Sequence, residues 1–190
     1  NMKNITEKAN ELQQKIVSHR RYFHKNAESG FEIPKTQGYI LSTLSSLGYS
    51  PRKCGKSGII ADIGRGETEE FILLRADCDA LDMEEKTELD FACKAKKMHA
   101  CGHDMHAAML LGAAEILKDY DIKGKIRLMF QPAEEILAGA KDMIDDGVLD
   151  GITQAVMIHV ITATDTQTAT VIIPNSKNRA PSAEFFKINI

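Results

Sequence analysis

"KKMHACGHDMHAAMLLGAAEIL", residues 96–117, sets three histidines, a cysteine and an aspartate before and into the start of an apolar, alanine-rich run. The run predicts a helix over about 104–120, with Asp104 placed to cap it and Gly102 allowing a sharp backbone turn just before it. On one side lies the apolar, strand-like "EFILLRADCDA" (70–80), and on the other "KIRLMFQ" (125–131). A helix in "ILAGAKDMIDDG" (136–147) and a strand in "AVMIHV" (155–160) continue the alternation. Strand, helix, strand, helix, strand implies crossover connections and a parallel sheet covered on both faces.

Upstream, "NITEKANELQQKIVSHRRYF" (4–23) carries Ile5, Leu12, Ile16 and Phe23 near helical spacing. "PKTQGYILSTLSSLGYS" (34–50) opens with Pro34 and closes at Gly48, as a second helix would. "GIIADIG" (58–64) is strand-like, and the turn-rich "RGETE" (65–69) separates it from "EFILLRADCDA", which predicts an antiparallel pair. The expected fold is an α/β, three-layer α/β/α sandwich with a mixed, largely parallel sheet.

Composition narrows the function. With 190 residues, 43% of them hydrophobic, the chain can bury a core, and no apolar run reaches membrane-spanning length. The net charge is −3 with both signs interspersed, which offers no basic face to nucleic acid or anionic lipid and favours a small-molecule substrate. Cys54, Cys78, Cys93 and Cys101 lack a secretory signal and framework spacing, so a reducing, cytoplasmic setting is expected.

This layout puts the chemically capable residues at one sheet edge. Asp77 follows "FILLRA", Glu134 and Glu135 follow "IRLMFQPA", and His159 follows "AVMI", each at or past the carboxyl end of a strand, where open α/β sheets build sites. Cys101 and His103, two apart in an extended segment, can reach one ion together. Each feature alone has a bland reading. A Cys-x-His pair at a helix start, an acidic loop and a strand-end histidine are each more often ordinary polar groups. Three distant segments delivering metal-type donors to one edge is what favours a site. His106, one turn into an apolar helix, serves packing or substrate as well as metal and is left out of the ligand set, while His99, Asp79 and Cys78 stay open. The adjacent Glu134–Glu135 pair suggests a division of labour, one carboxylate binding an ion and the other acting as general base on water.

Together "RRYFHKNAESGFE", "ADCDAL", "MHACGHDMHAAMLLGAAEIL", "FQPAEE" and "GAKDMIDDGVLDG" resemble the amidohydrolase branch of the aminoacylase-type dinuclear zinc metallopeptidases, from about residue 20 to 159. That branch includes hippurate, indoleacetyl-amino-acid and N-acetyl-diaminopimelate hydrolases. The resemblance implies a zinc-exopeptidase-like catalytic domain, incomplete here, that cleaves the amide bond of N-acyl amino acids through metal-activated water. It implies Cys101, His103, Glu135 and His159 as metal ligands, Glu134 as general base and Asp77 as a supporting acid. Two divalent ions (Zn, Mn, Co or Ni) and a homo-oligomer are implied for the complete enzyme, with no nucleic-acid or membrane partner.

Departures from the family pattern fall around the substrate pocket: Asp82 and Ala27 stand where proline is usual, Met157-Ile158 replace Gly-Leu, and Ile161 replaces an aromatic. The resemblance further implies catalytic-domain sequence over 1–179, the first strand of a lid or dimerisation domain over 180–190, and a further histidine ligand beyond Ile190, so that this length alone is poorly active. Two other readings stand beside it: a structural zinc knuckle of Cys93, His99, Cys101 and His103, and a non-catalytic metal-binding fragment.

Overall fold

The structure, a computed structural model, describes residues 4–66, 70–161, 167 and 170–172. Residues 1–160 form one compact unit; the second unit, Ile161–Ile190, includes the expected lid strand at 180–190, which lies outside the described residues. Helix α1 (Ile5–Lys25) starts with a capping box, Asn4 Oδ1 accepting from Thr6 N and Glu7 from Asn4 N, and carries His24 and Lys25 in its last turn, where positive charge is favoured. Helix α2 (Pro34–Ser46) begins on Pro34 and ends just before Gly48, as its sequence predicts.

Five strands follow: β1 (Arg52–Cys54), β2 (Gly58–Ile63), β3 (Phe71–Asp77), β4 (Lys125–Gln131) and β5 (Ile152–Met157), with α3 (His103–Leu117) and α4 (Gly139–Asp145) between them. The sheet is mixed, in the order β1-β2-β4-β3-β5, parallel across β4–β3 and β3–β5 and antiparallel across β1–β2 and β2–β4. Period-two alternation separates its faces. Ile59, Ala61, Leu128, Phe130 and Ala76 face the large core with α1, α2 and α3, whereas Ile60, Met129 and Leu73 face Met143 and Val148 on the α4 side.

The expected β2–β3 antiparallel pair does not form, because β4 lies between them. Leu128, Met129 and Phe130 are buried in succession, so β4 carries apolar side chains on both covered faces of the sheet, as a strand within it does. The cross-strand pair Asp62–Arg127 secures that insertion. Arg127 donates from Nε and Nη2 to the two Asp62 oxygens at 2.7 and 3.0 Å, and from Nη1 to the carbonyls of Val148 and Asp150, which brings the α4–β5 turn with it.

Helix α4 starts later than the expected residue 136. Residues 133–137 instead make a tight turn with positive φ at Ala133 and Leu137, closed by Leu137 N to Glu134 O at 2.8 Å and Ala138 N to Ala133 O at 3.1 Å. A side chain at Gly139 would put a Cβ 1.6 Å from the Pro132 carbonyl oxygen, so this turn closes only over glycine. Gly139→Ala is expected to destabilise the chain by about 1–3 kcal/mol, read by denaturant unfolding, and to disturb the Glu134–Glu135 turn as it does so.

Candidate metal centre

At the carboxyl edge of the sheet, β3 ends on Asp77 and continues through Asp79, β4 leads into the 133–137 turn, β5 runs on to His159, and Cys101 and His103 arrive at the start of α3. Gly102 between them has φ +85, and a Cβ there would meet Val160 at 2.3 Å, so the backbone crosses close to the end of β5 only because this residue lacks one. Gly102, not Asp104, is the N-cap position of α3. The Asp104 carboxylate is drawn aside by α1, Oδ2 accepting from Arg20 Nε and His24 Nδ1, both at 2.8 Å.

His103 is the hub. Its Nδ1–H donates to the Asp79 carbonyl at 2.9 Å, which fixes the tautomer and leaves the Nε2 lone pair on the side of the carboxylates. Nε2 lies 3.6 Å from Asp77 Oδ2, 3.8 Å from Glu135 Oε1 and 3.9 Å from Glu134 Oε2. His159 Nδ1–H donates to the Val160 carbonyl at 2.6 Å, which turns Nε2 toward Cys101 Sγ at 3.5 Å. Ligand-type atoms of Cys101, His103 and His159 lie within 4.8 Å of one another, as do those of His103, Glu134 and Glu135. His103 Nε2 and Glu135 Oε1 are buried without any hydrogen-bond partner. Unpaired buried donor atoms of this kind, with mixed sulfur, imidazole and carboxylate character, fit a zinc-class divalent ion.

Behind these groups stands Asp79, whose role the sequence left open. Fully buried, it accepts the Glu134 N–H on Oδ1 at 3.0 Å and the Glu135 N–H on Oδ2 at 3.3 Å. The signal available was its spacing of two from Asp77, which in an extended segment puts both on one side and Cys78 on the other. Cys78 is a small buried residue, with Sγ 3.2 Å from the Gln131 carbonyl and burial pushing its thiol pKa up. His106 joins this layer: Nδ1–H donates to Asp77 Oδ1 at 2.5 Å and Nε2 accepts from Val160 N at 2.9 Å. Although His106 lies close enough to Asp77 and His103 to form a donor group with them, both of its nitrogens are occupied. Burial raises the Asp77 pKa, but the His106 hydrogen bond and the Arg75 guanidinium outweigh it and hold the carboxyl at about 2. No donor group among the described residues contains Cys93 or His99, so the knuckle set is not assembled.

The sequence profile described as peptidase family M20/M25/M40 matches residues 73–180, more than half of the chain. The chain belongs to that family. Several of its relatives carry names of the amidohydrolase branch. It is 48% identical over 153 residues to the N-acetyl-L-cysteine deacetylase of Bacillus subtilis, covering 78% of this chain and 36% of the relative. It is 48% identical over 145 residues to an IAA-amino acid hydrolase of Arabidopsis thaliana, covering 74% and 31%. Among solved structures it resembles the Bacillus subtilis YXEP protein, a dinuclear metal-binding peptidase of the M20 family, with TM-score 0.75, 37% identity, and coverage of 79% of this chain and 44% of that one. The chain thus spans about a third of the length of the curated relatives it matches.

In this M20 chain the electrostatics of the centre are those of crowded acidic groups. Burial first, then Glu135 and Glu134, push the Cys101 thiol up to about 11. Burial and the neighbouring Glu134 likewise raise Glu135, against the pull of His103. For His103, burial acts downward but the Asp79 hydrogen bond and the Asp77 charge prevail and raise it. A cation among these donors relieves all three effects at once. Asp79→Ala, which leaves the Glu134 and Glu135 N–H groups unpaired, is expected to weaken zinc affinity about 10–100-fold, measured by competition with a chromophoric chelator on folded protein.

Proposed function

We propose that the chain is the N-terminal part of a metal-dependent amidohydrolase that cleaves the amide bond of N-acyl amino acids or related small amides. The observation that carries this reading is the unpaired, buried His103 Nε2 facing Glu134 and Glu135 beside the Cys101–His159 pair. Cys101, His103, Glu135 and His159 are the ligands in this reading. Two ions of the Zn, Mn, Co or Ni class, held with the help of donors beyond these four, serve the complete enzyme. An ion bound there lowers the pKa of water and polarises a carbonyl.

The chain's own groups then divide the work. Glu134 is 35% exposed at its side chain against 18% for Glu135, so it is the carboxylate better placed to take a proton from water and return it to the leaving amine. Asp79 holds the turn that carries both glutamates and sets the His103 tautomer. Asp77, ionised and bonded to His106 and Arg75, is a positioning acid at the back of the centre. Cys101 is no nucleophile with a thiol at about 11; its sulfur is a donor that becomes thiolate only against a cation.

The names of the relatives, a deacetylase of N-acetyl-L-cysteine and a hydrolase of IAA-amino acids, support an N-acyl amino acid as substrate class. The uncrosslinked cysteines support a reducing compartment, and among the described residues no helix is long and apolar enough to cross a membrane.

In the full-length protein Glu134→Gln is expected to keep its metal while turnover falls about a hundredfold or more; loss of metal from this folded variant would overturn the base assignment. Cys101→Ser, His103→Ala, Glu135→Ala and His159→Ala are each expected to lower metal content by atomic spectroscopy, with Cys93→Ala unaffected. Because the Cys101 thiol is protonated at neutral pH, zinc binding should release a proton from it and tighten as pH rises toward about 11. Calorimetry in buffers of different ionisation enthalpy reads that proton, and Cys101→Ser should remove it.

A further inference from the structure

His24 stands outside the metal centre, in the last turn of α1, and is 3% exposed. Both ring nitrogens face carboxylates, Nδ1 at 2.8 Å from Asp104 Oδ2 and Nε2 at 2.9 Å from Glu85 Oε1. A neutral imidazole has a single N–H, so one of these contacts would oppose two lone pairs. Both are hydrogen bonds only when the ring carries two protons.

The surroundings agree with that state. Arg20, on the same helix, shares the Asp104 oxygen. His99, with its ring centroid 6.5 Å away, is driven down to about 4 by burial and adds no charge, and Phe91 presents only its ring. The hydrogen bond to Asp104, with the one to Glu85 behind it, holds His24 above the ordinary histidine value although burial pulls it down.

The two carboxylates belong to different parts of the unit. Asp104 directly follows His103. Glu85 lies in the segment 82–97, which contains no helix or strand, is closed by the Leu81–Met98 bridge and leads into Cys101. Inside that segment Glu85 accepts from the Cys93 N–H at 2.7 Å and from the Thr87 hydroxyl. Phe91 anchors it to α1 beneath the guanidinium groups of Arg20 and Arg21, at 5.3 and 5.0 Å.

We propose that doubly protonated His24 is a positioning residue for the metal centre, clasping the 82–97 segment and α1 to the first turn of α3 and thereby holding Cys101 and His103 in place. The part concerning metal rests on the reading given under Proposed function. His24's folded pKa is raised, so the clasp is complete below about pH 6.5, the ordinary histidine value, and is lost as pH rises through the higher folded value.

The test uses the ¹⁵N-labelled chain, wild type and Glu85→Gln, with cobalt(II) as the metal probe. In the wild type the His24 ring should hold two protons at about pH 6 and lose one on the alkaline side. Over the same range the protection factor of the Cys93 amide should fall about tenfold, while those of β4 amides stay constant. Glu85→Gln should remove that step. It should also weaken cobalt binding about tenfold at the lower pH, read from the thiolate-to-cobalt absorption of Cys101, with the two proteins converging as His24 deprotonates.

A His24 ring with one proton throughout, or Cys93 protection unchanged across the titration, would overturn the clasp. Equal cobalt affinity in both proteins at low pH would overturn the positioning role with the metal reading intact. Failure of the wild type to bind cobalt at all would instead sink the metal reading, and the positioning role with it.

Discussion

The glutamate turn and the His103 ring at the carboxyl edge depend on buried Asp79. Its two oxygens receive the N–H groups of Glu134 and Glu135, and its own backbone carbonyl receives His103 Nδ1–H. Asp79, two residues past the end of β3, therefore sets the turn after β4 and the ring on α3. A carboxylate with no exposure is costly unless it is fully hydrogen-bonded, and these bonds meet that cost where backbone donors would otherwise lack partners. The tautomer of His103 follows from the same contact, and with it the direction of the lone pair that faces the two glutamates.

A second layer of polar groups spreads this order into the sheet. Asp77 joins His106, His106 joins the backbone of Val160, and Arg75 joins both Asp77 and Gln131. Three neighbouring strands are thus tied at the height of the site by side chains as well as by their ladders. The arrangement is stiff where it supports the donors and open where they look outward, since His159 is exposed and Cys101 and Glu135 are half-buried.

Much of this was legible in the sequence because it depends on local pattern. The apolar runs of β2, β3 and β4, the proline-started α2 and the alanine-rich α3 are consequences of local residue pattern, and so is the delivery of Asp77, the glutamate pair, Cys101, His103 and His159 to one edge. Once strands and crossovers alternate, connection geometry leaves the ends of parallel strands together. The motif resemblance agrees with the family match, and all of its motifs except the one at 20–32 lie within the matched residues 73–180.

Tertiary structure alone decided the rest. Whether β2 pairs with β3 or with β4 is a property of the assembled sheet; Asp62 and Arg127, far apart in the chain, become a pair only once β4 takes the central place. Asp104 looked like a cap because local hydrogen bonding favours that use, yet α1 brought Arg20 and His24 within reach and claimed its carboxylate. Asp79 and His106 could not be assigned from spacing, since their partners come from the turn after β4 and the end of β5. Residue order determined which chemistry was present and at which edge, through periodicities that each segment expresses by itself. Which buried polar group answers which other one was decided only by long-range packing, because a desolvated donor takes whatever acceptor the fold places beside it.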